Sequence, residues 1–274
     1  MNGDTRPIAI MDSGVGGLSI LREVVALLPN EDILYFADQG HVPYGPRPIE
    51  QIRDFSRGIT EFFLARRAKT IVLACNAASA ASLHYLRKAF PEVPFVGMEP
   101  AVKPAAEQTR SGVIGVITTK ATFQGELFAS VVGRFARDKQ VVTEVCPDFV
   151  ELVEAGDVDS QHAREVVQAR LAPLLEQGID QLVLGCTHFP FLTPLLAETS
   201  GPGVTIVDPS PAIARQTGRV IAGLRSSNSR QGSILFFTSG SRKRFIEQAV
   251  QLLAWDVNPQ QVAQVVWTGA QLVE

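Results

Sequence analysis

Two stretches decide the fold: IVLACNAASAASL (Ile71 to Leu83) and LVLGCTHFPFL (Leu182 to Leu192). Each opens on a short apolar run that reads as a buried strand and ends abruptly on a cysteine. A polar residue follows each thiol, giving the pairs Cys75-Asn76 and Cys186-Thr187.

Around the first stretch, short apolar runs alternate with longer helical patterns. PIAIMDSG is a strand, and GLSILREVVALLP carries Leu18, Leu21, Val24, Val25 and Leu28 at helical spacing. DILYFAD, TIVLAC and PFVGME are further strands. IEQIRDFSRGITEFFLARRA and ASAASLHYLRKAF are the helices between them, the former with Ile52, Phe55, Ile59, Phe62 and Phe63 on one side. Strands separated by helices predict a parallel sheet covered on both faces.

The pattern then restarts. GVIGVITT, QVVTEVC, DQLVLGC and VTIVDPS read as strands, with single helices over ATFQGELFASVVGRF and SQHAREVVQARLAPLLEQG. In each half the first strand ends in small polar residues, Asp12-Ser13-Gly14 and Thr118-Thr119, and a later strand ends in Cys plus a polar residue. The separations match: 63 residues from Asp12 to Cys75 and 68 from Thr118 to Cys186. These parallels predict an α/β chain of two pseudo-symmetric lobes, with parallel-type sheets flanked by helices and an active site in the cleft between them. Beyond VDPS, Ser210 is the expected N-cap of a helix with Pro211 at its first position. RSSNSRQGS (Arg225 to Ser233) reads as a polar, flexible connection. The strand ILFFTSG and helix RKRFIEQAVQLLAW are too little for a lobe of their own. The expected division is therefore 1–97 plus 209–274 for the first lobe and 98–208 for the second.

Composition limits the function classes. The 274 residues are 46% hydrophobic and 19% charged, with a net charge of −3. That is a globular balance with no overall basic field for nucleic acid. The basic clusters ARRAK and SRKRF are short and read as solvated helix faces or ends. No apolar run reaches bilayer length, and the first residues lack a signal-peptide pattern, so a cytoplasmic protein is expected. Three widely spaced cysteines, Cys75, Cys146 and Cys186, form no disulfide framework, and their spacing matches no zinc motif.

Ligands of open α/β sheets bind beyond the carboxyl ends of the strands, where both Cys75 and Cys186 are expected. A helix beginning after each thiol favours the thiolate, so each is expected to act as a base near neutral pH. Two such bases on opposite sides of one ligand suit racemisation next to a carboxylate: one removes a proton and the other delivers one to the opposite face. Asp12 and His188 are the natural helpers, one per thiol. The glycines of DSGVGG (Asp12 to Gly17) would let backbone N–H groups approach an anion, TTKAT (Thr118 to Thr122) offers hydroxyls at the equivalent place, and VPYG (Val42 to Gly45) is a tight turn able to close over the site.

Free cysteine often only fills a core, Asp12 alone would cap a helix, and His188 alone would be a satisfied core histidine. Matched positions in two halves favour function for Cys75 and Cys186. Cys146, before Pro147, reads as structural, and His41, His84 and His162 read as surface or loop residues. A redox pair is disfavoured, because thiols flanking a ligand stand too far apart for a disulfide.

With these residues in place, the chain closely resembles the glutamate racemases of the cofactor-independent aspartate/glutamate racemase superfamily. DSGVGGLSILREV, VPYGPRP, LACNAASA, IGVITTKAT, FVELVEAG, LGCTHFPFL and VDPSPAIA carry the likeness, which covers almost the whole chain. The resemblance implies two lobes, no cofactor and no metal, a homodimer, and interconversion of L- and D-glutamate that supplies bacterial peptidoglycan. It implies that Cys75 acts on D-glutamate with Asp12, and that Cys186 acts on L-glutamate with His188 and Glu154. Substrate contacts would be Ser13, Tyr44, Gly45, Asn76, Thr118, Thr122 and Thr187. Two features depart from the family's pattern. Ala77 stands where threonine is usual, which bears on affinity and substrate preference. ADQGH precedes VPYG in place of wording like GDTAR, at positions that read as peripheral. A racemase of aspartate or another small amino acid, and a non-catalytic amino-acid-binding relative, are the alternatives.

Overall fold

The computed structural model describes residues 4–124, 126–226 and 230–273. The first half runs β1 (Ile8–Asp12), α1 (Leu18–Leu27), β2 (Ile33–Ala37), α2 (Ile49–Ala65), β3 (Thr70–Leu73), α3 (Asn76–Ala89), β4 (Phe95–Gly97) and α4 (Val102–Gln108). The second runs β5 (Val113–Thr118), α5 (Lys120–Gln124), α6 (Glu126–Phe135), β6 (Gln140–Val145), α7 (Pro147–Ala155), α8 (Gln161–Glu176), β7 (Gln181–Gly185), α9 (Thr193–Ser200) and β8 (Thr205–Val207). The tail adds α10 (Ser210–Val220), β9 (Ile234–Thr238), α11 (Arg242–Leu253), β10 (Val262–Gln264), β11 (Val266–Thr268) and β12 (Gln271–Val273).

Two parallel sheets result. The first has the order β10-β9-β2-β1-β3-β4 and the second β6-β5-β7-β8. Within both sheets the strands that share a pattern share a position: β2-β1-β3-β4 corresponds to β6-β5-β7-β8. Strands β1, β2, β3 and β7 are buried at every residue. Helices cover both faces of each sheet, which is why these strands read as unbroken apolar runs rather than alternating ones. Helix α2 turns Ile52, Ile59, Phe62 and Phe63 inward. One apolar cluster runs from Ile8, Leu18 and Leu21 in the first lobe to Phe149, Leu182 and Phe189 in the second, so the lobes share a core.

Several local expectations need correction. Ser210 is the first residue of α10 and its side chain does not cap it. Instead its N–H and hydroxyl both donate to Asp208 Oδ1, at 2.8 and 2.6 Å. The stretch expected to form one helix from Ala121 to Phe135 is described as two, α5 and α6, with residue 125 outside the described residues. The polar connection 225–233 lies partly outside them too. Its described ends are tied down, Ser226 N–H donating to Glu31 at 2.8 Å and Arg230 pairing with Asp32 at 2.7 Å. Strand β10 and the antiparallel β11–β12 hairpin are additions that the sequence reading lacked.

Candidate active site

Asp12 ends β1 and Thr118 ends β5, while Cys75 lies just beyond β3 and Cys186 just beyond β7. The carboxyl edges of the two sheets converge on a cavity of about 290 Å³. Both thiols stand in its wall, with Ser13, Asn76, Thr187 and His188. Pro43, Tyr44, Gly45 and Pro46 line it from the first lobe. They close against the second lobe: a Cβ on Gly45 would lie 3.4 Å from Thr119 Cβ.

The two thiols have different surroundings. Cys186 Sγ lies 3.6 Å from His188 Nδ1, and His188 Nε2 lies 2.8 Å from Glu154 Oε1. Burial works against a charged imidazole, but the Cys186 sulfur and the Glu154 carboxylate hold His188 well above its ordinary value of 6.5. Burial likewise works against charge on Glu154, and the His188 bond holds its carboxyl below 4.5. Near neutrality the imidazolium therefore donates to Glu154 on one side and faces Cys186 on the other.

Cys75 is the N-cap of α3, its Sγ accepting the Ala78 N–H at 3.4 Å and donating to Ser13 Oγ at 3.7 Å. The helix terminus was expected to make it a ready base. Burial outweighs that effect, and the nearby Asp12 carboxylate adds to burial, so the thiol is pushed up to about 12. Cys75 holds its proton at neutral pH.

Asp12 is fully buried, and burial pushes its carboxyl up. Its oxygens accept the Gly14 N–H at 2.9 Å and the Thr187 hydroxyl at 3.0 Å. Asp12 thus bridges to the residue beside the second thiol, and its influence on Cys75 runs through charge. The DSGVGG turn does gather an anion at its N–H groups, but that anion is the protein's own: Val15 N–H donates to Glu154 Oε1 at 2.8 Å. A Cβ on Gly14 would fall on the Glu154 carboxylate, and one on Gly16 on the His188 ring. These glycines admit the relay of the opposite lobe to the turn.

The Asn76 side chain lines the cavity, and neither its Oδ1 nor its Nδ2 has a partner among the described residues. Such an orphaned amide offers a donor and an acceptor to an incoming amino acid. Ala77 lines the cavity beside it. Thr118 and Thr122 lie behind the wall, Thr118 donating to the Thr119 carbonyl and Thr122 sharing a hydrogen bond with Thr119 Oγ1 at 3.1 Å. Thr119 and Lys120 of TTKAT line the cavity, as does Glu151, which the sequence reading had not placed there. Cys146 is buried outside the wall. Among the described residues no cluster of three or more His, Cys, Asp or Glu is placed to hold a metal ion.

The ADQGH segment is not peripheral. Gln39 Nε2 donates to Glu154 Oε2 at 3.3 Å and to Gln248 Oε1 at 2.7 Å. His41, on the turn before Pro43, is hydrogen-bonded to Asp38 at 3.0 Å and stacks on Phe55 at 3.9 Å.

A cavity walled by one cysteine from each half of a duplicated α/β chain is what proton transfer at both faces of one carbon requires. The chain belongs to the Asp/Glu/Hydantoin racemase family, whose model matches residues 8–217. Curated relatives include the glutamate racemase of Herpetosiphon aurantiacus, 49% identical over 90% of this chain and 98% of that protein. The Pseudomonas putida W619 glutamate racemase is 48% identical over 92% of this chain and 95% of its own length. Among solved structures, a glutamate racemase from Bacillus anthracis superposes with a TM-score of 0.85 at 30% identity, covering 98% of this chain and 99% of that one. The Escherichia coli glutamate racemase bound to L-glutamate and the activator UDP-MurNAc-ala gives 0.83 at 30% identity, covering 96% and 100%.

Proposed function

We propose that this chain is a glutamate racemase in which Cys186 and Cys75 act on opposite faces of the substrate α-carbon. The observation that carries the mechanism is the contrast between two thiols in one cavity wall. The Cys186 sulfur faces the imidazolium of the His188–Glu154 relay, while burial and Asp12 keep Cys75 protonated.

The Cys186 thiolate takes the α-proton, and the C–H electron pair spreads into the adjacent carboxylate. The Cys75 S–H bond breaks as its proton is delivered to the opposite face, giving D-glutamate, Cys186 as thiol and Cys75 as thiolate. D-Glutamate runs the same steps backwards. The substrate's ammonium group offsets the Asp12 charge that opposes a Cys75 thiolate. Asn76, Ser13 and Thr187 supply polar contacts, and Tyr44 and Gly45 supply the loop that closes over the ligand. Thr118 and Thr122 support the Thr119 hydroxyl from behind. No step calls on a cofactor. The structures of relatives holding D-glutamate or L-glutamate support the choice of substrate. We assign the D-glutamate formed to bacterial peptidoglycan synthesis and expect a cytoplasmic homodimer. The first lobe comprises 1–97 plus 209–274, the second 98–208. Incubating the purified chain with L-glutamate, D-glutamate and L-aspartate without cofactor tests the reading: both glutamates racemise and aspartate does not.

A further inference from the structure

The Asp38 carboxylate is fully buried and is hydrogen-bonded by four side chains, with His41 Nδ1 within reach of both oxygens. Tyr44 Oη donates to Oδ2 at 2.6 Å and His41 Nδ1 lies 3.0 Å from the same atom. Ser239 Oγ donates to Oδ1 at 2.6 Å and Trp267 Nε1 at 2.8 Å. Tyr44 belongs to the loop that lines the cavity, whereas Trp267 belongs to the β11–β12 hairpin. One carboxylate therefore joins the substrate loop to the last described segment of the chain. Burial and the Asp38 charge hold the Tyr44 phenol well above 10, so it remains a donor at any working pH.

The hairpin is seated for this contact. The Trp267 ring packs against Phe55 of α2 at 5.6 Å and against His41 at 5.5 Å. Helix α2 carries Gly58 beneath it, and a Cβ there would lie 2.7 Å from the Trp267 ring and 2.8 Å from the Ala270 carbonyl. Glycine inside a helix is destabilising relative to alanine. Here it is what allows the indole to approach Asp38.

We propose that Asp38 and Trp267 are positioning residues that couple the β11–β12 hairpin to the substrate loop through Tyr44. The hairpin thereby sets the shape of the cavity wall without touching the substrate. This inference rests on the reading of the cavity as the glutamate site.

The test uses Trp267→Phe, which keeps the ring and removes the N–H, and Gly58→Ala, which leaves every polar partner in place and displaces the indole. Each should raise the KM for both glutamate enantiomers about fivefold, the worth of one buried hydrogen bond, with kcat within about twofold. In a Trp255→Phe background, Trp267 is the remaining tryptophan. Its emission should shift on saturation with glutamate, and Asp38→Asn should weaken that shift. An unchanged KM in both variants, with wild-type turnover intact, overturns the coupling. Absence of glutamate turnover in the wild-type chain overturns instead the reading of the site. A fall in kcat with KM unchanged would also contradict a positioning role and mark the hairpin as structural support.

Discussion

The imidazole of His188 lies 2.8 Å from Glu154 Oε1, and the same oxygen accepts the Val15 N–H from the first-lobe turn. The relay behind the second thiol is thus completed by backbone of the opposite lobe. Glu154→Gln keeps the shape and removes the charge that holds His188 protonated. Because the enantiomers have equal free energy in achiral solvent, kcat/KM must fall by the same factor in both directions. The directional signature lies in the α-deuterium isotope effect, which should rise for L-glutamate and stay near its wild-type value for D-glutamate. A rise for D-glutamate alone would contradict the pairing of this relay with Cys186.

Gly16→Ala should inactivate the protein with little loss of fold. The added methyl group would overlap the His188 ring, so the imidazole must leave its place between Cys186 and Glu154. Loss of turnover with preserved far-ultraviolet dichroism and a still cooperative thermal transition at a lower Tm checks this. Full activity would show that the relay tolerates displacement.

Cys75, pushed up to about 12, should alkylate slowly, and its rate should keep climbing with pH. In a Cys146→Ala, Cys186→Ala background, reaction with iodoacetamide is expected to rise about tenfold per pH unit, with no plateau below about pH 10. A plateau near neutrality would mean that Cys75 is a thiolate in the free enzyme.

The His188–Glu154 pair should make stability depend on pH from both sides. His188 is raised, so its contribution is full below about 6.5 and is lost as pH climbs through the raised value. Glu154 is lowered, so its share is present above 4.5 and is lost as pH falls through the lowered value. The Tm advantage of the wild type over His188→Asn should therefore be larger near pH 6 than near pH 9.5, as thermal melts would show. A constant advantage would remove the ion pair from the account.

Ala77→Thr returns a hydroxyl to the cavity wall beside Asn76. Glutamate should bind more tightly by about 0.5–1.5 kcal/mol, read as a lower KM. An unchanged KM would show that Asn76 and its neighbours already satisfy the substrate.

Much of this arrangement was legible in the sequence because it repeats. Strand ends marked Asp12 and Cys75, then Thr118 and Cys186, gave the two parallel sheets and the placing of both thiols against one cavity. What the sequence hid was energetic or long-range. A helix terminus beside Cys75 is visible in the pattern NAASAAS, but the burial that overrides it depends on residues from both lobes. Gln39 and His41 looked peripheral because their partners, Glu154 and Asp38, and Asp38's further partner Trp267, are set by packing across the chain. The β11–β12 strands are three residues each, too short to show a period of two.

The most direct test of the central claim is racemisation in deuterium oxide. The purified protein is given L-glutamate or D-glutamate without cofactor, followed by circular dichroism and α-deuteration, alongside Cys75→Ser and Cys186→Ser. The account predicts loss of optical activity from both enantiomers with deuterium entering Cα, each serine variant slower by about 100-fold or more. Wild-type turnover that survives either substitution at full rate would contradict the two-thiol mechanism.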